Sequence, residues 1–146
     1  MEKRARDVMS PDPACCSPQT TLDQVAKMMV LNDCGEIPVV DAADQPIGVI
    51  TDRDIVCRVI AEGHNPMGYT AEDYMTQPVV TVRDDAPIDD VVATMERHQV
   101  RRVPVVDEEG CCIGIVAQAD IAWTAPTREV ADLVREVSRD TEAESR

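Results

Sequence analysis

One six-residue pattern occurs twice in this chain, sixty-six residues apart (104 − 38 = 66). Residues 36–41 read EIPVVD, and residues 102–107 read RVPVVD. Many further identities keep the same offset without a gap, among them Asp7/Asp73, Met9/Met75, Gly48/Gly114 and Asp54/Asp120. The period is too long for a solenoid repeat, so each copy is predicted to be a small α/β unit. A duplicated unit also creates a seam between its copies, and ligands often bind at such seams.

The composition favours a compact α/β protein with an aliphatic core. Apolar residues make up 44% of the 146 residues, whereas aromatic residues make up only 2% and Phe is absent. The core must therefore be built from Val, Ile, Leu, Met and Ala. A unit of half this length buries too little surface to be robust alone, so we expect the two copies to need one another.

Charge and hydropathy exclude two classes of partner. The formal net charge of −14 argues against nucleic-acid binding, because phosphate recognition requires a basic surface. No apolar run approaches the ~20 residues of a membrane span, and the charged N-terminus has no apolar signal region behind it. We therefore expect a cytoplasmic protein without a membrane partner.

Six cysteines raise the question of metal or redox chemistry. They lie at Cys15-Cys16, Cys34, Cys57 and Cys111-Cys112, without CxxC spacing or a cluster with the two histidines. Reduced buried or surface thiols are the simplest interpretation, and we predict no metal site. The adjacent pairs keep a redox hypothesis open.

Each copy is predicted to contain the same elements in the same order. An opening turn and a Pro-rich stretch precede an amphipathic helix, two β runs joined by a turn, and a second helix. The predicted bounds are 6–63 for the first copy, 64–70 for a linker, 71–123 for the second copy, and 124–146 for a C-terminal helix with an acidic tail. The helix after Asp52 is predicted to turn Ile55, Val56, Val59 and Ile60 to one side and to end at Gly63.

The repeated residues resemble the CBS domain, which is named after cystathionine β-synthase. This family combines a β-α-β-β-α order with Pro-Val-Val-Asp in one strand and Gly-x-x-Thr-x-x-Asp leaving the next. Residues 48–54 read GVITDRD and complete that signature, whereas residues 114–120 read GIVAQAD and have Ala in place of Thr. The resemblance extends from about Arg6 to Trp123. Residues 51–55 and 98–104 look like stand-alone bacterial CBS-pair proteins, including those of the hypoxic-response type.

This resemblance implies an architecture and a function. Two copies would pack sheet to sheet with pseudo-twofold symmetry as a Bateman module, and two modules would pair as a homodimer. The clefts between copies would bind adenosine-containing ligands such as AMP, ADP, ATP, NAD or S-adenosylmethionine. Members of the family regulate a protein partner, here unknown, rather than catalyse a reaction.

Two aspartates are the main candidate ligand-binding residues. A ribose presents two adjacent hydroxyl donors, and a carboxylate can accept both at once. Asp54 and Asp120 each lie three residues beyond a strand end, where helix-start N–H groups also favour a phosphate. Thr51 adds a hydroxyl in the first copy, but Ala117 cannot do so in the second, so the two clefts are predicted to differ.

The resemblance assigns further residues to each cleft. The Asp54 cleft would contain Thr51 and Arg53, with Val80 and Val100 from the other copy against the adenine. The second cleft would combine Asp120, the basic pair Arg101 and Arg102 facing phosphates, and two residues of the first copy, Cys16 and Cys34.

Each assignment has an alternative. Asp54 and Asp120 could simply cap helices, and Arg101 and Arg102 could be ordinary solvated charges. Catalytic signatures such as GxSxG, GxxxxGK[ST] and HExxH are absent from the sequence, so we do not expect an enzyme. The alternative function is a thiol-based redox-responsive interaction protein on a CBS scaffold without nucleotide affinity, in which Cys15, Cys16, Cys111 or Cys112 changes oxidation state.

Overall fold

The computed structural model describes residues 3–122 and residue 135, which form two compact units. Unit 2 is built from Asp12–Val79 and Gly110–Cys112. Unit 1 holds the described residues up to Pro11, then Val80–Glu109 and those from Ile113 onward. The predicted C-terminal helix, the acidic tail and Trp123 lie outside the described residues.

Unit 2 contains the first copy from Asp12 onward, together with the opening helix of the second copy. Helix α2 (Leu22–Asn32) begins at a capping box formed by Thr21 and Gln24. Strands β2 (Glu36–Val40) and β3 (Pro46–Thr51) pair antiparallel. Helix α3 (Asp52–Asp54) continues as a π-helical segment (Ile55–Ile60), and a 3₁₀ turn (Pro66–Gly68) and helix α4 (Ala71–Tyr74) follow.

Unit 1 has the equivalent arrangement, built from most of the second copy and the opening segment of the first. It contains helices α1 (Ala5–Val8), α5 (Ile88–His98) and α6 (Gln118–Ala122). Its sheet has the order β1-β6-β5-β4, from strands β1 (Ser10–Pro11), β4 (Val82–Arg83), β5 (Arg102–Val106) and β6 (Cys112–Ala117). Strand β1 runs antiparallel to β6, and β4 runs parallel to β5.

The opening segment of each copy packs in the unit that contains the other copy's strands. In unit 1, Ser10 pairs with Ile115, and at the repeat offset Thr76 pairs with Val49 in unit 2. Methionine side chains follow the same rule, since Met9 lies over Gly114 and Met75 lies over Gly48. Each unit is therefore assembled from both copies. The bounds 6–63 and 71–123 of the two copies remain predictions from the sequence.

Each unit has its own aliphatic core, as the composition predicted. Equivalent positions of the two copies fill the two cores with Val, Ile, Leu and Met side chains. The fully buried examples in unit 2 are Leu22, Val25, Ile37, Val39, Ile50 and Val59, and those in unit 1 are Val91, Met95, Val103, Val105, Val116 and Ile121. Burial of such side chains stabilises each by ~1.5–3 kcal/mol relative to exposure.

Most predicted elements are confirmed, with one correction in the helix after Asp52. The helix ends at Ile60, and the predicted stop, Gly63, follows three residues later with a φ of 81°, where its N–H donates to the Ile60 carbonyl at 3.0 Å. Ile55 and Val59 face the core, but Val56 and Ile60 are 56% and 53% exposed. The predicted apolar side of this helix is therefore only partly buried, because Ile55 and Val59 reach the core and the adjacent Val56 and Ile60 do not.

Candidate functional site

The candidate site of the first copy is the junction where β3 ends and α3 begins. The Asp52 N–H donates to the Gly35 carbonyl at 2.9 Å, so the junction stays next to the start of β2. Thr51 is the N-cap residue and has extended backbone angles, with φ −106° and ψ 162°. The chain therefore turns sharply from strand to helix here, and the side chains of Thr51 and Asp54 come together.

Thr51 and Asp54 form a reciprocal capping box. The Asp54 N–H donates to Thr51 Oγ1 at 3.0 Å, and the Thr51 N–H donates to Asp54 Oδ2, also at 3.0 Å. Both N–H groups would otherwise lack a partner at the start of the helix. The capping alternative for Asp54 is thus realised in the structure, but it uses only part of the acceptor capacity of a carboxylate, which has about four lone-pair sites.

The other oxygen of Asp54 faces a cation that the sequence prediction missed. Arg58 Nη1 lies 3.7 Å from Asp54 Oδ1, and the side chain of Asp54 is only 16% exposed. The same guanidinium group donates to the Tyr74 carbonyl at 2.8 Å and lies 5.6 Å from the centre of the Tyr74 ring. Asp54 and Arg58 are four residues apart, a spacing that brings opposite charges together on a helix, so the sequence did contain a signal for this ion pair. By contrast, the predicted Arg53 is exposed.

An acidic residue lies beside this junction. Glu36 is paired with Thr51 across β2 and β3, and it is 7% exposed. Its equivalent in the second copy is Arg102, which is exposed. The first junction therefore carries Glu36, Asp54 and Arg58, and its electrostatic character differs from that of its counterpart.

The junction of the second copy has the same backbone frame with different side chains. The Gln118 N–H donates to the Arg101 carbonyl at 2.8 Å, as Asp52 does to Gly35 in the first copy. The Ala117 N–H donates to Asp120 Oδ2 at 2.8 Å. Unit 1 thus brings Asp120 and the backbone of Arg101 to one strand end, with Arg102 at the start of β5.

The predicted adenine-contact residues lie in the opposite units from their aspartates. Val80 and Val100 pack against the core of unit 1 and are partly buried. In unit 2, Cys34 is exposed and Cys16 is 5% exposed. The Cys16 N–H and carbonyl are bonded to Pro38 and Val40, so this residue is committed to the core of its unit. The assignment of these four residues to shared clefts stays a prediction.

Two other sequence-level expectations concern metals and membranes. Among residues 3–122 and 135, the structure shows no group of three or more His, Cys, Asp or Glu side chains that could hold a metal ion. Within the same described part of the chain, no helix has the length and apolar character needed to cross a bilayer.

The two similar α/β units, each with an aspartate at a strand-to-helix junction, define a tandem-repeat α/β protein. The sequence profile of the CBS domain matches residues 5–60 and 71–123. The chain belongs to the CBS domain family, and it carries two copies of the domain. The family resemblance inferred from the sequence is therefore confirmed.

Two curated relatives illustrate the range of lengths. The chain is 36% identical over 133 residues to Hypoxic response protein 1 of Mycobacterium tuberculosis, covering 91% of this chain and 92% of that protein. It is 40% identical over 110 residues to the uncharacterized protein MK0525 of Methanopyrus kandleri, covering 75% of this chain and 56% of that protein. The chain is thus similar in length to the first relative and spans just over half of the second.

Solved structures of similar fold include proteins with bound ligands. A structure of Hypoxic Response Protein I with two coordinated zinc ions has a TM-score of 0.77 and 38% identity, covering 85% of this chain and 100% of that one. The CBS domain pair of MJ0100, in complex with 5′-methylthioadenosine and S-adenosyl-L-methionine, has a TM-score of 0.76 and 28% identity, with coverages of 84% and 95%. CBSX2 in complex with AMP has a TM-score of 0.71 and 26% identity, also with coverages of 84% and 95%.

Proposed function

We propose that this chain is a non-catalytic regulatory module that binds an adenosine-containing ligand. AMP, ADP, ATP and NAD are the candidates, because all of them present the same ribose hydroxyls and α-phosphate. The AMP complex of CBSX2 and the S-adenosylmethionine complex of MJ0100 support this ligand class. They also favour nucleotide binding over the thiol-based alternative without nucleotide affinity.

The observation that carries the proposal is the placement of Asp54. Its carboxylate is held by the Thr51 N–H at a strand-to-helix junction and is mostly shielded from water. A partly shielded carboxylate binds hydroxyl donors more strongly than one in bulk water, since charge-assisted hydrogen bonds strengthen as the local dielectric falls. In this proposal the ribose diol fills the remaining acceptor sites of Asp54, and Arg58 or Arg53 faces the phosphate.

The second junction supports a weaker or different site. Asp120 is held as Asp54 is, but Ala117 provides no hydroxyl. Arg101 and Arg102 supply two positive charges where the first copy has Gly35 and Glu36. We therefore propose that the second site selects more strongly for phosphate charge than the first.

The test is a thermal-shift series with AMP, ADP, ATP and NAD. A ligand present at 100 times its dissociation constant stabilises the folded protein by ~2.7 kcal/mol. For a chain of this length that corresponds to a rise of about 9 °C in the melting temperature. The substitution Asp54→Ala is expected to remove most of that rise for the ligand of the first site.

Asp73 provides a matched control in the same unit. It caps helix α4 as Asp54 caps α3, since the Thr70 N–H donates to Asp73 Oδ2 at 2.8 Å. Asp54→Ala and Asp73→Ala should each lower the stability of the unliganded protein by ~1 kcal/mol through loss of a cap. Only Asp54→Ala should also abolish the ligand-dependent rise. Equal ligand responses in both variants, or no response to any nucleotide in the folded wild type, would refute the proposal.

We also propose a homodimer that transmits ligand binding to a protein partner. Its support is a set of exposed apolar side chains on the helical side of unit 2: Val30, Leu31, Val56, Ile60 and Met67. At the repeat offset, Val30 and Leu31 correspond to the charged residues Glu96 and Arg97. At these two positions the apolar character belongs to the first copy alone, which is typical of an interface rather than of a general surface property.

A further inference from the structure

The segment around Cys15 lies along the edge of β2 in unit 2. The Cys16 N–H donates to the Pro38 carbonyl and the Val40 N–H donates to the Cys16 carbonyl, both at 2.9 Å. The segment is therefore paired like a short strand, in which successive side chains point to opposite faces. Cys16 points into the core, and Cys15 points away from it and is half-buried.

A second cysteine segment, residues 110–112, is held on the turn between β2 and β3. The Cys112 N–H donates to the Asp44 carbonyl at 3.0 Å, and Cys111 Sγ donates to the Ala43 carbonyl at 3.4 Å. The turn itself is fixed by Asp41, whose Oδ1 accepts from the N–H groups of Ala43 and Gln45 at 2.9 and 3.0 Å. Residues 110–112 thus have a defined position within unit 2.

The two segments place Cys15 and Cys112 in the wall of one cavity. The cavity has a volume of about 290 Å³ and is open to solvent, and its other lining residues are Asp12, Pro13, Val40 and Asp44. The two cysteines line this cavity together, near enough for the Cys112 thiol to act on the pKa of Cys15 through a side-chain hydrogen bond. A disulfide bond requires their sulfur atoms to approach to ~2.05 Å.

The surroundings distinguish Cys15 from its neighbour. The hydrogen bond from Cys112 lowers the pKa of Cys15, although burial and the negative charge of Asp44 act in the opposite direction. Burial and the adjacent Cys15 raise the pKa of Cys16 to about 12. Because the thiolate is the reactive form, Cys15 is the more reactive residue of this adjacent pair.

We propose that Cys15 and Cys112 form a redox site in which a peroxide converts the two thiols to a disulfide. The Cys15 thiolate attacks one oxygen of hydrogen peroxide and breaks the O–O bond, giving a sulfenic acid and, after proton uptake, water. The Cys112 sulfur then attacks the Cys15 sulfur, its proton passes to the leaving hydroxyl group, and a second water is released. Two thiols are oxidised by two electrons, and one peroxide is reduced to two waters. This site does not depend on nucleotide binding.

Peptide mass spectrometry tests the pairing directly. In a Cys16→Ser/Cys111→Ser background, the tryptic peptides 7–27 and 103–128 each contain a single cysteine. The protein is treated with a few equivalents of hydrogen peroxide in the presence of a chelator, then alkylated, denatured and digested. We expect these two peptides to be recovered linked, with a mass two hydrogens below their sum, and to separate on reduction.

Two further variants establish the order of events. Cys112→Ser should trap Cys15 as a sulfenic acid that dimedone labels, whereas Cys15→Ser should leave Cys112 unlabelled by dimedone. Cys34 and Cys57, which are exposed, act as internal references for general oxidation. The wild-type chain, digested and fragmented in the same way, serves as a check that the background variant preserves the pairing.

Two outcomes would overturn the proposal. One is that Cys15 and Cys112 stay reduced at a peroxide concentration that oxidises Cys34 and Cys57. The other is that the wild-type chain links Cys15 to a different cysteine.

Discussion

Gly48 and Gly114 occupy equivalent positions in the two copies, yet alanine should have different effects at the two sites. The three atoms nearest to a Cβ atom on Gly48 all belong to the Met75 side chain, at 2.7 to 3.1 Å. A Cβ atom on Gly114 would meet the Met9 sulfur and also the Ser10 carbonyl oxygen, at 3.1 Å. A side chain can change rotamer, but the Ser10 carbonyl belongs to β1, which is paired with β6.

The expected magnitudes follow from these contacts. Overpacking a buried site costs ~1–3 kcal/mol, and replacing Gly by Ala returns ~0.4–1 kcal/mol by restricting the unfolded chain. We expect Gly114→Ala to lower the free energy of unfolding by about 2 kcal/mol, because backbone must move. Gly48→Ala should lower it by less than about 1 kcal/mol, because Met75 can be displaced.

Thermal unfolding of the two variants measures this difference. The entropy of unfolding for 146 residues is about 0.3 kcal/mol per kelvin, so 1 kcal/mol corresponds to ~3 °C. Gly114→Ala should therefore melt about 6 °C below the wild type, and Gly48→Ala within ~3 °C of it. If Gly48→Ala were destabilised as much as Gly114→Ala, the reasoning from the Ser10 carbonyl would be wrong.

Three further predictions concern the cap, a buried thiol and the apolar surface. Thr51→Val should lower the free energy of unfolding, measured by urea titration, by ~1 kcal/mol, because the Asp54 N–H loses its acceptor. Thr51→Ser keeps the hydroxyl and should not lower it. Equal stabilities of the two variants would contradict this prediction. Burial raises the pKa of Cys16 to about 12. The contribution of the neutral Cys16 thiol to the free energy of unfolding is therefore complete below about pH 9 and is lost as the pH rises toward 12. Between those pH values the free energy of unfolding of the wild type should fall by up to ~1.4 kcal/mol per pH unit more than that of Cys16→Ala. Parallel pH profiles of the two proteins would contradict this prediction. If the chain forms the proposed homodimer through its apolar surface, Leu31→Lys, at a residue that is 83% exposed, should convert it to a monomer in sedimentation velocity. An unchanged sedimentation coefficient would contradict the proposed interface.

The repeat offset predicted most of the local structure. Helices α2 and α5 each contain 11 residues, at positions exactly one period apart within the chain (88 − 22 = 66). Thr51 and Asp54 were also placed correctly at one strand-to-helix junction. These features follow from residues that are near one another in the sequence, where periodicity and capping chemistry are informative.

Long-range pairings could not be predicted in the same way. Strand β1 has only two residues, Ser10 and Pro11, so no pattern within it indicates that its partner is β6. The contact between Cys15 and Cys112 likewise joins residues 97 positions apart (112 − 15 = 97). The sequence identified the adjacent pairs Cys15-Cys16 and Cys111-Cys112 as candidates for redox chemistry. The turn at residues 41–45, which holds Cys111 and Cys112 in the structure, could not be inferred from them.

The pairing of β1 with β6 has a consequence for synthesis of the chain. Most of unit 2 is one continuous stretch, Asp12–Val79, and it can condense while later residues are still being translated. Residues 10 and 11 are synthesised before unit 2, yet their partners, Ile115 and Gly114, are made more than a hundred residues later. Closing so large a loop is slow. A segment that is synthesised before unit 2 therefore pairs with its partner strand only after unit 2 has formed.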